Sequence, residues 1–86
     1  MKKKQEIILK ALSTIVYREI ERQNLKKTIF CYENGLTVSM LYGFLAAKRD
    51  ISCTRCITML LDLGVDMGDF GKYLREEMPE YELIDE

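Results

Sequence analysis

The chain has 86 residues, with 13 basic and 14 acidic side chains, no His and a net charge of −1. This length carries one domain, and 48% hydrophobic with 31% charged residues is globular composition that excludes a disordered chain. No apolar run approaches the roughly 18 residues of a membrane span, Glu6 and Lys10 interrupt the start where a signal peptide would be apolar, and the lack of imidazole removes a common acid–base and metal-binding group.

A cytoplasmic protein that is not an enzyme is therefore expected. Ser, Cys, Asp and Glu show no spacing that assembles a nucleophile, a base and an orienting group. Gly35, Gly43, Gly64, Gly68 and Gly71 occur singly and form no phosphate-cradling loop.

A first helix is predicted from about Lys4 to Gln23. Ile8, Leu12, Ile15, Val16 and Ile20 recur there at helical spacing, and Lys10, Arg18, Glu19, Glu21 and Arg22 take the other faces. Asn24 is a stop signal. A short second helix is predicted from Lys27 to Glu33, with Phe30 and Cys31 as its buried pair. Asn34 and Gly35 tolerate left-handed backbone and end it. Leu36 follows, and Thr37 is a good N-cap for a third helix from Val38 to about Ala47. So short a connection makes the two helices cross steeply.

Lys48 to Ile51 reads as a polar connection. Ser52 caps a fourth helix from Cys53 to Leu63, with Cys53, Cys56, Ile57, Leu60 and Leu63 on one face and Gly64 just past its end. Asp66 caps a fifth helix from Met67 to about Glu77 that carries Phe70 and Leu74. Pro79 bars its simple continuation. The remaining tail reads as extended or disordered. The fold class is all-α, with five helices in one domain over residues 1–78 and an acidic tail over 79–86.

Several of these features stand in a definite order: Phe30-Cys31, Gly35, Leu36, Thr37, the helix from Val38 to Ala47, Lys48-Arg49, Ser52 and Leu63-Gly64-Val65. In that order and spacing, over Asn24 to Phe70, the chain resembles the lambda-repressor-like helix-turn-helix family, the Cro/XRE-type regulators. The helix-turn-helix would span about 27–47. The resemblance implies a compact five-helix domain acting as a dimeric transcriptional regulator on double-stranded DNA, with no cofactor, metal or small-molecule ligand. It implies buried Leu36, Leu41 and Phe44, and it turns Val38, Ser39, Tyr42 and Gly43 toward the bases of the major groove. There Ser39 can hydrogen-bond base edges and Val38 can touch a thymine methyl. Gly43 costs about 1 kcal/mol in a helix interior, which close approach of backbone and DNA would explain. Lys27, Thr28, Thr37, Lys48 and Arg49 are the implied phosphate contacts, Lys27 helped by the start of its helix.

The predicted recognition helix, Val-Ser-Met-Leu-Tyr-Gly-Phe-Leu-Ala-Ala, has no Arg, Asn or Gln for a bidentate base contact. Leu45 stands where the family often has Glu, and Ala47 where it often has Gly. Val38, Met40, Tyr42 and Leu45 suit an alternative of another class. On the same fold, this helix would bind protein, as an antagonist or heterodimer partner of a related regulator.

Cys53-Thr-Arg-Cys56 lacks the strand context of a redox motif. With Cys31 it offers only three zinc ligands, so all three thiols are expected in the core. Lys2 to Lys4 reads either as a solvated end or as an arm toward DNA. The tail reads either as a disordered acidic end or as a dimer element docking Met78, Tyr81, Leu83 and Ile84. Charge is divided along the chain: residues 1–61 carry eleven bases against five acids, and residues 62–86 carry two against nine. The motif-bearing part is thus basic, as a DNA-facing half would be.

Overall fold

In the computed structural model, which describes residues 2–85, the chain is all-helical and no strand occurs among those residues. α1 (Lys3–Arg22), α2 (Lys27–Glu33), α3 (Val38–Leu45), α4 (Cys53–Asp62) and α5 (Phe70–Glu77) follow in order, and Pro79–Leu83 forms a short 3-10 helix. None of the described helices is long and apolar enough to cross a membrane.

α1 is the spine. It packs against α3 and α5, and α2 packs against α3. Glu6 in its first turn and Arg22 in its last both complement the helix dipole. Leu9, Ile15, Val16 and Ile20 are buried in the core, but Ile8 and Leu12 are only half-buried. The predicted stripe is therefore shifted at its N-terminal end, where Ile8 and Leu12 line a shallow groove with Gln5 and Asp50. From α3 the core receives Leu41 and Phe44, both fully buried. Phe30, Cys31 and Leu36 come from α2 and the turn, and Cys56, Met59, Leu60 and Leu63 from α4. Burying each large side chain here is worth about 1.5–3 kcal/mol.

Two of the three predicted caps, Thr37 and Ser52, are made. The Thr37 hydroxyl accepts from the Met40 amide at 3.1 Å, and the Ser52 hydroxyl accepts from the Arg55 amide at 3.2 Å. Four helices end in one way. The residue after the C-cap is left-handed: Asn24 at φ 53°, Gly35 at 65°, Ala47 at 57° and Gly64 at 76°. In each case the next amide reaches back five residues. Leu25 N donates to Ile20 O at 3.1 Å, Leu36 N to Cys31 O at 2.9 Å, Lys48 N to Gly43 O at 3.0 Å and Val65 N to Leu60 O at 3.0 Å. This is the Schellman arrangement, which satisfies carbonyls the helix leaves orphaned.

Five expectations need correction. α3 stops at Leu45, because Ala47 leaves helical geometry. α5 starts at Phe70, because the Asp66 carboxylate accepts from Gly68 N at 2.8 Å and makes a turn of Met67 to Asp69. Cys53 is exposed while Cys31 and Cys56 are buried. It lies in register with the stripe of Cys56, Leu60 and Leu63, but on the first turn of α4, beyond the edge of the core. The tail is neither extended nor loose over Pro79–Leu83. Its 3-10 turn sets Tyr81 under Lys4 Nζ, 5.2 Å from the ring centroid. Lys3 and Lys4 accordingly belong to α1 and form no arm, and Arg18 binds Glu77 at 2.5 Å to fix α5 on the spine.

Candidate nucleic-acid interface

The surface of interest is built on α3. Leu41 and Phe44 anchor the helix inward, which turns the intervening positions outward. Val38 is 42% exposed and Tyr42 52% exposed, and Ser39 is exposed between them. Met40 and Leu45 are instead half-buried and packed against the core, so the apolar outward face is narrower than the sequence suggests.

Gly43 is half-buried, and its close neighbour is within the chain. A Cβ there would stand 3.0 Å from the Cβ of Arg49. The Gly43 carbonyl also accepts from both Lys48 N at 3.0 Å and Arg49 N at 3.2 Å. The glycine lets the connection after α3 fold tightly over the helix. The first residue of that connection to reach back is also unusual. At the ends of α1, α2 and α4 the corresponding residue is apolar: Leu25, Leu36 and Val65. At the end of α3 it is Lys48, which is exposed. Backbone bonds thus fix the base of two cations, Lys48 and Arg49, beside the outward face of α3.

On α2, Thr28 is exposed and Lys27 is engaged. Lys27 Nζ lies 3.0 Å from Glu21 Oε1 and 5.8 Å from the centroid of the Tyr17 ring. The hydrogen bond to Glu21 holds its ammonium pKa above the ordinary lysine value; burial opposes this, and the Glu21 charge and the nearby Tyr42 and Tyr17 add to it. Lys27 therefore ties α2 to α1, and Tyr42 of α3 is near enough to act on it electrostatically. Thr37 is exposed, but its hydroxyl is occupied by the cap, which leaves a lone pair and its proton for an outside partner.

Among the described residues, Lys26, Lys48, Arg49 and Arg55 form no ion pair. Arg55 was not among the sequence candidates. Its signal was its place on the first turn of α4, three residues after the Ser52 cap. Tyr17 and Glu21 were missed for a different reason: they reach Lys27 only through the turn between α1 and α2. No group of three or more His, Cys, Asp or Glu side chains able to hold a metal occurs among the described residues. No family model, curated protein or solved structure matches the chain.

Proposed function

We propose that the chain is a helix-turn-helix DNA-binding regulator of the Cro/XRE type, with α3 entering the major groove of double-stranded DNA. The observation that carries this reading is the setting of α3. Val38, Ser39 and Tyr42 are turned outward on a helix anchored by Leu41 and Phe44, with Arg49 against Gly43 and Lys48 exposed next to it. Lys48, Arg49, Thr28 and Thr37 would set the register on phosphates, and Arg55 extends that set onto α4. Val38, Ser39 and Tyr42 would read bases, with Gly43 holding the connection close beneath. Without a bidentate side chain, DNA shape carries more of the specificity than direct contacts do. Dimer formation on two half-sites belongs to the same reading; sedimentation of the full chain and of one ending at Met78 tests whether the tail contributes.

The experiment is selection of bound duplexes from a random library at low salt, followed by titration of the selected duplex. With about four to six phosphates contacted, log affinity should fall against log salt with a slope of roughly −4 to −5. Failure to retard any duplex, or an affinity indifferent to salt, would overturn the reading.

One observation favours a second reading. Leu25, Ile29, Tyr32, Val38, Tyr42 and Tyr17 are all exposed, Tyr32 at 88%. Exposed apolar side chains on α1, α2, α3 and the turn between α1 and α2 suit a protein partner, for example a related regulator. The two readings part on mutation. Lys48→Glu with Arg49→Glu removes DNA binding and spares an apolar contact, whereas Tyr42→Ala with Val38→Asp damages the protein contact most.

A further inference from the structure

Lys27, the cation expected to meet a phosphate at the start of α2, already holds a carboxylate. Its side chain is only 25% exposed, against 51% for Glu21. The pairing follows from how the backbone turns. Tyr17 and Glu21 lie one helical turn apart on the same face of α1. The turn after α1 is fixed by Asn24 N donating to Glu21 O and Leu25 N to Ile20 O, each at 3.1 Å, and it returns Lys27 onto that face. Lys48, Arg49 and Arg55 carry no such partner among the described residues.

The geometry points to Glu21 as a built-in competitor for the phosphate position of Lys27, so that a nucleic-acid phosphate must displace the Glu21 carboxylate to gain this contact. The inference rests on the DNA-binding reading above. The exchange replaces one oxyanion by another at the same ammonium, with Tyr17 flanking the cation in both states. The displaced carboxylate is left near the DNA backbone, where it repels phosphate or takes up a cation. Both effects lower duplex affinity. Cation uptake also offsets part of the counterion release, which makes the salt dependence shallower.

The test is a mutant cycle on the full chain, read by fluorescence anisotropy with a mixed-sequence duplex at low salt. The variants are Glu21→Gln, Lys27→Met, the two combined, and Glu33→Gln. The last makes the same charge change on α2 at an exposed side chain with no ion pair among the described residues. Glu21→Gln should tighten binding about threefold to fivefold and steepen the salt slope by up to about one. In the Lys27→Met background the part of that gain due to competition for the ammonium should be lost, leaving only what the carboxylate's own repulsion of phosphate contributes. Glu33→Gln should change affinity by less than about twofold. Circular dichroism melts of each variant establish that it is folded, and Glu21→Ala repeats the measurement should the Gln variant not be. An unchanged affinity of Glu21→Gln, or an equal gain with and without Lys27, overturns the competitor role while wild-type binding keeps the DNA reading. No binding by any of these chains overturns both.

Discussion

Gly35 and Ala47 occupy the same position in two helix ends, and only one of them is a glycine. Left-handed backbone costs an L residue about 1–2 kcal/mol, and glycine is exempt. A Cβ on Gly35 would meet nothing within 4 Å, so Gly35→Ala should cost only that backbone strain, about 1 kcal/mol, in denaturant unfolding. Ala47→Gly should shift stability the other way by about 0.5–1 kcal/mol, once the extra unfolded-state freedom of glycine is set against the strain relieved. The stop after Gly35 is readable from Asn34-Gly35. The one at Ala47 is not, because nothing in an alanine announces a positive φ; the bonds to the Gly43 carbonyl impose it. The thiols divide in a comparable way. Burial pushes Cys56 and Cys31 above the ordinary thiol pKa, in Cys56 with added repulsion from Cys53 and Asp50. Iodoacetamide should therefore label Cys53 at once in the native chain, and Cys31 and Cys56 only on unfolding. Their shared stripe is legible from spacing; the edge of the core, which exposes Cys53, depends on how far α4 overlaps its neighbours.

Among the elements, α2 is the one whose bounds, Lys27–Glu33, and buried pair, Phe30 and Cys31, match the sequence reading in full. A short helix is legible when one end is strongly marked, and here Asn34 and a positive-φ Gly35 close the segment. α5 shows the opposite case. Asp66 is a competent cap, but its carboxylate serves Gly68 two residues on, so the helix waits until Phe70. The side-chain caps that do form hold the surface built on α3 from both sides. Thr37→Ala and Ser52→Ala should each cost about 1 kcal/mol in thermal or chemical unfolding, with the helices retained. Gln23 and Asn34 do related work at the other ends. Gln23 Nε2 donates to Leu63 O at 2.7 Å, which closes α4 against α1, and Asn34 Nδ2 donates to Asp62 Oδ2 at 3.1 Å, which closes α2 against α4. Neither link is visible in a local sequence window, because the partners stand forty and twenty-eight residues away.

For the molecule as a whole, stability should be nearly flat across neutral pH. The chain has no His, the side chain that ordinarily changes charge there. On the acid side, the hydrogen bond from Arg22 holds the Glu19 carboxyl below its ordinary value against the effect of burial. The folded state thus favours the ionised form. The stability this gives is present above the unfolded value of about 4.3 and is lost as pH falls through the folded one. On the alkaline side, Cys31 and Cys56 are raised, so the folded state favours the neutral thiol. That stability is complete below about 8.5 and is lost as pH rises toward the folded values. Lys27 adds a loss in the same direction at higher pH. Denaturant midpoints should form a plateau from about pH 5 to 8.5 with a fall on each side. A midpoint that shifts markedly between pH 6 and 7.5 would contradict this.

The place of α1 also bears on when the chain can fold. α1 packs against α3 and α5, and α5 begins only at Phe70. At the ribosome's pace of about 5–20 residues per second, roughly fifty residues must be added after α1 before α5 exists, a delay of about 2–10 s. Through that interval α1, with Ile15, Val16 and Ile20 on its buried stripe, lacks one of the helices that pack on it. A nascent chain halted before α5 would therefore present an amphipathic helix without its full complement of partners, the kind of surface that chaperones recognise. Of the five α-helices described, the one made earliest is thus among the last to be completely enclosed.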